Sequence, residues 1–579
     1  MTTRLDSDRP TVDRPVIREA DATDRESIYR ARHAVYALEL GQHPPNAEER
    51  LTDRLDEVNR YFVATIDDEV VAFISVTPPN PVGYSIDKYF DRADVPFAID
   101  DATYEFRLLT VMPEHRDTDL AATLMIAAFR WIEASGGRTV VAIGREGVTS
   151  MYERGGMIPT GLTVRSGAVG FELMHADVAQ VRRDFDALEP VLALVEQAVD
   201  WRLHVPMRKP TSCFHGGAFF DAIGPRFDDL AGRHAVINAD VLDAWFPPAP
   251  AVVESLEAEL AWLLRTSPPT DCAGLVQAVA AARGLRPAQV LPGAGSSDLI
   301  FRALTHWLTP SSRVVLLDPT YGEYAHVLEK VVGCRVERLP LRRQADYRVD
   351  LDELRRLVAT APDLVVLVNP NSPTGQHLTA AEVESLVEAA PRTTRVWVDE
   401  TYVDYVGESV EHLVARHDHL VVCKSMSKAY ALSGARVAYL AASPVQLEAL
   451  RALTPPWVVG LPSQVAAVRA LESTDYYVGR WAETHGLRER LADGLAELGW
   501  DVVPGCANFV LAHLPPDGPT AAQVVAAAQE YGVFVRDAST MGDTLGSRAV
   551  RIAVKSQDEN TRVLQALGTA AAHDRLQRP

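Results

Sequence analysis

The sequence predicts an α/β protein of two or three domains, with a mixed α/β region first and an open parallel sheet after it. Three observations lead there. At 579 residues the chain exceeds what one hydrophobic core normally holds. Runs such as Leu364–Val368, Val396–Val398 and Leu420–Cys423 are apolar throughout, as in strands covered on both faces, and each ends in polar residues. Nearer the N-terminus, strands flank a turn at Asp67-Asp68 and then alternate with helical patterns.

Composition narrows the class. Apolar residues make up 47% of the chain, as in globular proteins, and the net charge is −21. The excess of acid argues against nucleic acid or an anionic membrane as partner. Five scattered cysteines form no Cys-x-x-Cys pair, which suits a reducing compartment and offers no zinc framework. Met1 to Arg18 is charged and interrupted by proline, unlike a signal peptide, and no apolar run approaches the ~20 residues that span a bilayer. A cytoplasmic protein is expected.

Residues 1 to about 14 are charged and poor in apolar side chains, and are expected as a disordered lead-in. Val16 to Ala20 reads as a strand, Asp24 to Leu40 as an amphipathic helix, and Arg60–Ile66 with Glu69–Val76 as a hairpin. A strand at Thr103–Val111, a helix at Leu120–Ser135 and a strand at Arg138–Ile143 follow, before Met151-Tyr-Glu-Arg-Gly-Gly-Met157. This order resembles the GNAT acyltransferase family over residues 15–175.

The resemblance implies an acyl-CoA or an acyl-carrier protein as co-substrate. In that family a Gln/Arg-x-x-Gly-x-Gly/Ala turn at a helix start gives backbone amides to the carrier's pyrophosphate. Here the turn reads Arg116-Asp-Thr-Asp119-Leu-Ala121. Arg116 and Ala121 fit the pattern. Asp119 replaces the glycine that lets backbone approach phosphate, and its carboxylate would oppose the anion by ~1 kcal/mol or more. Tyr152 stands where the family often keeps an acid for the leaving thiolate; it reads equally as a residue packed beneath the sheet. Glu105 shares a strand face with Arg107 and reads as a general base or as an ion-pair partner. An active acyltransferase and a retired scaffold both stay open.

From 176 to 212 the chain reads as a helical linker, with Val181, Phe185, Leu188, Val191, Leu192 and Val195 at helical spacing and Arg208-Lys209-Pro210 closing it. Residues 213–579 form the second domain. Its centre is His419-Leu-Val-Val-Cys-Lys-Ser-Met-Ser-Lys-Ala-Tyr-Ala-Leu-Ser-Gly-Ala-Arg436, an apolar strand ending in Ser425, Ser427 and Lys428. A lysine just past a buried strand loses its charge cheaply and can attack an aldehyde. Hydroxyls and an arginine nearby suit a phosphate monoester. An aldehyde and a phosphate on one molecule describe pyridoxal phosphate. Alone, such a turn reads as a solvated loop. The strands ending at Asp399 and Asn369 change the balance, because an open parallel sheet gathers strand ends where ligands sit.

These residues resemble the fold-type I, class I/II aminotransferases, most of all the histidinol-phosphate aminotransferase branch. The matching strings, in family order, are Gly293-Ala-Gly-Ser-Ser297, Asp318-Pro-Thr-Tyr321, Asn369-Pro-Asn-Ser-Pro-Thr-Gly375, Asp399-x-x-Tyr402, Ser425-x-x-Lys428 with Arg436, and Val550-Arg-Ile-Ala-Val554. The resemblance implies a large α/β/α domain, a small α+β domain and a homodimer. It implies that Lys428 carries the cofactor and moves the substrate proton, with Lys424 as the rival. Asp399 would face the ring nitrogen, Tyr402 and Asn371 the ring oxygen, and Tyr321 the ring face. Ser296, Ser297, Ser425 and Arg436 would hold the phosphate, and Arg551 the substrate carboxylate.

Two departures bear on reaction type. Ser267 precedes Pro268 where the family usually has a tyrosine that reaches the partner's phosphate, and Ser372 stands where a second asparagine bonds the ring oxygen. His412, His417 and His419 suggest a metal site or, more simply, a solvated loop, so no metal is expected. The expected function is a pyridoxal-phosphate enzyme acting on an amino acid or amine, most simply an aminotransferase, fused to a GNAT-like domain. By analogy, such a fusion suits specialised-metabolite biosynthesis. The alternative is decarboxylation, or β- or γ-elimination or replacement, including on S-adenosylmethionine, beside a silent first domain.

Overall fold

A computed structural model describes residues 14–576, save 146, 148, 167, 168, 212, 214 and 225. The lead-in expected over residues 1–14 therefore lies, up to residue 13, outside the described residues. The chain divides into two compact units, Met1–Thr211 and Ser212–Pro579.

The first unit is built on an eight-stranded sheet in the order Ile158–Ser166, Val169–Asp177, Thr139–Arg145, Thr103–Val111, Glu69–Thr77, Arg60–Ile66, Val16–Glu19, Asp200–Trp201. Helix Leu120–Ala134 buries Leu124, Ala127, Ala128 and Ile132 beneath it. Each such aliphatic side chain contributes on the order of 1–3 kcal/mol. Thr103–Val111 pairs in parallel with Thr139–Arg145 only from Thr103↔Thr139 to Phe106↔Ala142, so the later halves of the two strands part. The helix expected from Asp24 to Leu40 is two pieces, α-helical over Ala22–Arg32 and π-helical over His33–Glu39. Beyond residue 176 come helices Val178–Ala187 and Glu189–Ala198. Their Val178, Val181 and Leu192 lie in the core of this unit, and Asp200–Trp201 adds a strand beside Val16–Ile17. The stretch expected as a linker is thus packed in part: Val181 and Leu192 join the core, while Leu188 and Val191 stay exposed.

The second unit holds a seven-stranded sheet in the order Val290–Gly293, Ala438–Ala442, Leu420–Ser425, Arg395–Asp399, Leu364–Val368, Arg313–Asp318, Arg335–Pro340. The last five are mutually parallel, and the Ala438–Ala442 strand runs antiparallel to both neighbours. Helices begin at side-chain caps, such as Thr379 on the Glu382 amide and Asp350 on the Asp352 and Glu353 amides. A smaller four-stranded sheet orders Asp501–Val503, Phe509–His513, Ala549–Ala553 and Arg536–Asp537.

Candidate active site

The parallel strands end level with one another. Asp399 closes its strand opposite Val368 on one side and Cys423 on the other, so Asn369, Asp399 and Ser425 meet at one sheet edge. Lys428 lies just beyond. Its Nζ donates to Asp243 Oδ1 at 2.9 Å and to Ser433 Oγ at 3.5 Å. Burial lowers the Lys428 amine, and the nearby Arg436 and Arg551 add to the effect against the pull of Asp243. Lys424 faces elsewhere. Successive strand residues point to opposite faces, and its Nζ sits 3.7, 3.5 and 3.7 Å from Glu400, Asp404 and Glu411 in a buried acidic box.

An anion cradle flanks Lys428. Helix Ser296–Trp307 starts at Gly295, whose φ of +91° a side chain would strain. A Cβ there would lie 2.2 Å from an Arg436 guanidinium nitrogen, so the backbone turn and the cation are pressed together. Arg436 also reaches Ser427 Oγ at 3.4 Å, and Ser427 and Ser425 are buried beside it. The helix start adds roughly half a positive charge.

Asp399 is buried. Its Oδ2 accepts from the Tyr324 hydroxyl at 2.7 Å, and its Oδ1 accepts from the Thr401 amide and hydroxyl at 3.0 and 2.6 Å. Trp397 in turn donates to Tyr324 at 2.7 Å. Burial raises the Asp399 carboxyl, and these neutral donors only oppose that. A buried carboxylate with such partners is suited to a cationic ring nitrogen.

Arg551, from the small sheet, donates to Ser372 Oγ at 3.1 Å and to the Asp240 carbonyl at 3.0 Å. Tyr402 is buried, is pushed up to about 12 by burial, and faces Ser372 and Arg551. Asn371 behaves differently from the expectation. Its amide donates to the Pro319 carbonyl and Thr374 Oγ1, both at 3.0 Å, and accepts from Thr320 Oγ1 at 2.9 Å. Its amide nitrogen is taken up by Pro319 and Thr374 and its oxygen is met by Thr320, while Ser372 faces Arg551 and Tyr402. Ser267 lies on an exposed loop.

Several groups here escaped the sequence reading. Glu323 is wholly buried, and its Oε2 accepts from Tyr321 at 2.7 Å, Ser297 at 2.9 Å and His215 at 2.5 Å. Hydrogen bonds to Cys213 and to Glu323 raise His215 to about 10. Asp243 and Lys555 are the others. Lys555 follows the Ala549–Ala553 strand that carries Arg551, so for it position alone carried a signal. His419 bonds the Val387 carbonyl at 3.0 Å within the large sheet's packing.

In the first unit, Asp119 is exposed at the start of helix Leu120–Ala134. Arg116 is clamped by the two Glu39 oxygens at 2.7 and 2.6 Å, and Ala121 lies in the first turn. Tyr152 packs against the core, and burial raises its hydroxyl. The π-helical turn sends the Tyr36 hydroxyl to Thr110 Oγ1 at 2.9 Å, on the part of its strand that has left its neighbour. Glu105 accepts from the Ser85 amide at 2.8 Å, the Ser85 hydroxyl at 2.5 Å and the Ile86 amide at 3.1 Å, so its carboxylate anchors a loop. At the helix start Asp119 and the Glu39-bound Arg116 weaken the attraction for an anion, leaving the backbone amides as its donors.

The second unit's donor set fits pyridoxal phosphate: a cradle for its phosphate, a buried carboxylate for its ring nitrogen and a desolvated lysine for its aldehyde. Bound here, that cofactor would capture an amine and draw electrons from the carbon beside it.

Comparisons with known proteins agree. Residues 242–567 match the family model for aminotransferase class I and II, and residues 26–157 match that for the acetyltransferase (GNAT) family. A histidinol-phosphate aminotransferase of Acinetobacter baumannii (strain SDF) is 31% identical over 56% of this chain and 87% of its own length. Histidinol-phosphate aminotransferase 2 of Archaeoglobus fulgidus is 32% identical over 57% of this chain and 92% of its own. Among solved structures, the Sinorhizobium meliloti histidinol-phosphate aminotransferase in complex with pyridoxal-5'-phosphate aligns over 63% of this chain and 99% of its own, with a TM-score of 0.54 and 24% identity. The L-threonine-O-3-phosphate decarboxylase of Porphyromonas gingivalis aligns over 58% of this chain and 99% of its own, at 0.51 and 23%. At that identity the structural likenesses speak for the fold. The matched family model spans more than half the residues, and the chain belongs to the aminotransferase class I and II family, with a GNAT-type domain ahead of it.

Proposed function

We propose that the second unit transfers the amino group of a small amino acid or amine, with Lys428 as the residue that holds the cofactor and moves the substrate's Cα proton. The observation that carries this reading is the meeting of Lys428, Asp399 and Arg551 around one sheet edge, beside the Ser296 and Arg436 cradle. Arg551 presents a guanidinium fork to a substrate carboxylate, with Ser372 and the Asp240 carbonyl fixing its angle. Tyr402 would offer a hydroxyl to the cofactor from beside Ser372 and Arg551, and Asp399 would face its ring nitrogen and favour the protonated form. Ser425, Ser427 and Arg436 would hold the phosphate beside the helix start, while the Ser297 hydroxyl is committed to Glu323.

Decarboxylation and elimination or replacement would draw on the same electron sink. The curated relatives carry aminotransferase names, which favours transamination. A homodimer is part of the reading: Leu260, Trp262 and Leu264 are 48%, 46% and 70% exposed near the end of helix Pro250–Arg265. Among the described residues no helix is long and apolar enough to cross a membrane, in keeping with the cytoplasmic location proposed. The first unit is read as silent toward acyl-CoA, and a role in specialised-metabolite biosynthesis rests on the fusion alone.

Cofactor-loaded full-length protein, mixed with single amino acids, tests the reaction. Release of the matching 2-oxo acid, with the amino group passed to a second 2-oxo acid, is expected. Release of carbon dioxide or methylthioadenosine without a 2-oxo acid would overturn transamination.

A further inference from the structure

Lys428, whose side chain is 18% exposed, shares Asp243 with a second, buried lysine. Lys428 Nζ takes the carboxylate at 2.9 Å, and Lys555 Nζ donates to the carbonyl of the same residue at 3.2 Å. Lys555 is 6% exposed. It is held from behind, since its amide and carbonyl both bond the Asn560 side chain, at 3.0 and 2.9 Å. Its stem is therefore fixed where the Ala549–Ala553 strand turns into helix Gln557–Leu576.

A buried ammonium held by a single carbonyl is costly, and needs a reason to be there. Asp243 supplies one. While Lys428 is free, its ammonium balances the Asp243 carboxylate. Once the Lys428 nitrogen is committed to the cofactor, the half-buried Asp243 carboxylate, whose side chain is 37% exposed, has less charge to balance it. Lys555 is the nearby cation able to take over. In the other direction, a second cation beside Lys428 disfavours its protonation, which a nucleophile and proton carrier requires.

We propose that Lys555 is a positioning residue for Lys428: by sharing Asp243 it makes the Lys428 ammonium easier to deprotonate and compensates Asp243 whenever Lys428 is engaged. The groups facing Lys555 are Asp243 and Glu559, which favour its charge, and Lys428, which opposes it; Asp243, Ser433, Arg436 and Arg551 face Lys428. Burial brings Lys555 down to about 8, so it is itself divided between charged and neutral forms near neutral pH. The proposal rests on the reading of Lys428 as the reactive amine.

The test uses cofactor-free full-length protein and trace acetic anhydride, with each lysine's labelling rate followed against pH by mass spectrometry. Lys555→Met should slow Lys428 labelling at pH 7 by roughly three- to tenfold, a shift of about half to one pK unit, and Lys555→Arg should preserve the wild-type rate. Asp243→Asn should quicken it. Equal Lys428 rates in wild type and Lys555→Met, with both folded by circular dichroism, would overturn the proposal. Borohydride reduction of the loaded protein separately identifies the lysine that carries the cofactor. A tag on another lysine would sink the reading of Lys428 without touching the labelling result.

Discussion

Helix Ser296–Trp307 of the second unit and helix Leu120–Ala134 of the first both begin on a turn beside a sheet, and both present free amides and a partial positive charge. Their surroundings differ in sign. The first turn of the second unit's helix meets Arg436, Ser427 and a glycine pressed against the guanidinium. The first unit's helix meets Asp119, and the arginine that should serve it, Arg116, is neutralised by Glu39. A helix start is thus an offer that its neighbours accept or cancel, and the same geometry yields an anion cradle in one unit and none in the other.

A carboxylate in the first turn of the working cradle, one residue past the position Asp119 holds in its own helix, should break the contrast most strongly. Ser296→Asp places a carboxylate against the phosphate, and cofactor affinity in equilibrium dialysis should fall by about a hundredfold or more. Removing the cation instead, with Arg436→Ala, should weaken binding by about ten- to a hundredfold, the value of a hydrogen bond to a charged group. The reverse exchange sharpens the same comparison. Asp119→Gly with Glu39→Gln frees Arg116 and opens the turn, and coenzyme A binding by calorimetry should rise from undetectable by roughly five- to tenfold over any residual level. Tight coenzyme A binding by the unaltered chain would contradict the account of the first unit.

The smallest effect concerns His215. Its folded value, about 10, lies above its ordinary 6.5, so the stability it adds is full below about pH 6.5 and is lost as pH rises through about 10. Its side chain is 41% exposed, so the contribution is modest. His215→Gln should lower the melting temperature slightly at pH 6 and not at all near pH 11.

The sheets were legible because strands buried on both faces must be apolar, and Leu364–Val368, Arg395–Asp399 and Leu420–Ser425 announce themselves and their polar ends. Asp399, Lys428 and Arg436 followed from those ends. Contacts between distant segments were not legible. Lys428 and Asp243 lie 185 residues apart, and nothing local to Asp243 marks it as an ion-pair partner. Nothing local to Glu323 marks it as buried; Tyr321, Ser297 and His215 close over it only in the fold. Asn371 and Ser372 are adjacent, and only the turn's backbone decides which of them faces the site. The strand Asp200–Trp201 is two residues long, too short for any periodicity.

The central claim is that Lys428 carries pyridoxal phosphate in this cradle. The most direct measurement is the absorption spectrum of full-length protein reconstituted with that cofactor, beside Lys428→Ala. The account predicts the yellow band of a lysine imine in the first and only the free cofactor's absorbance in the second. An unchanged band in Lys428→Ala, or no band in either, would contradict it.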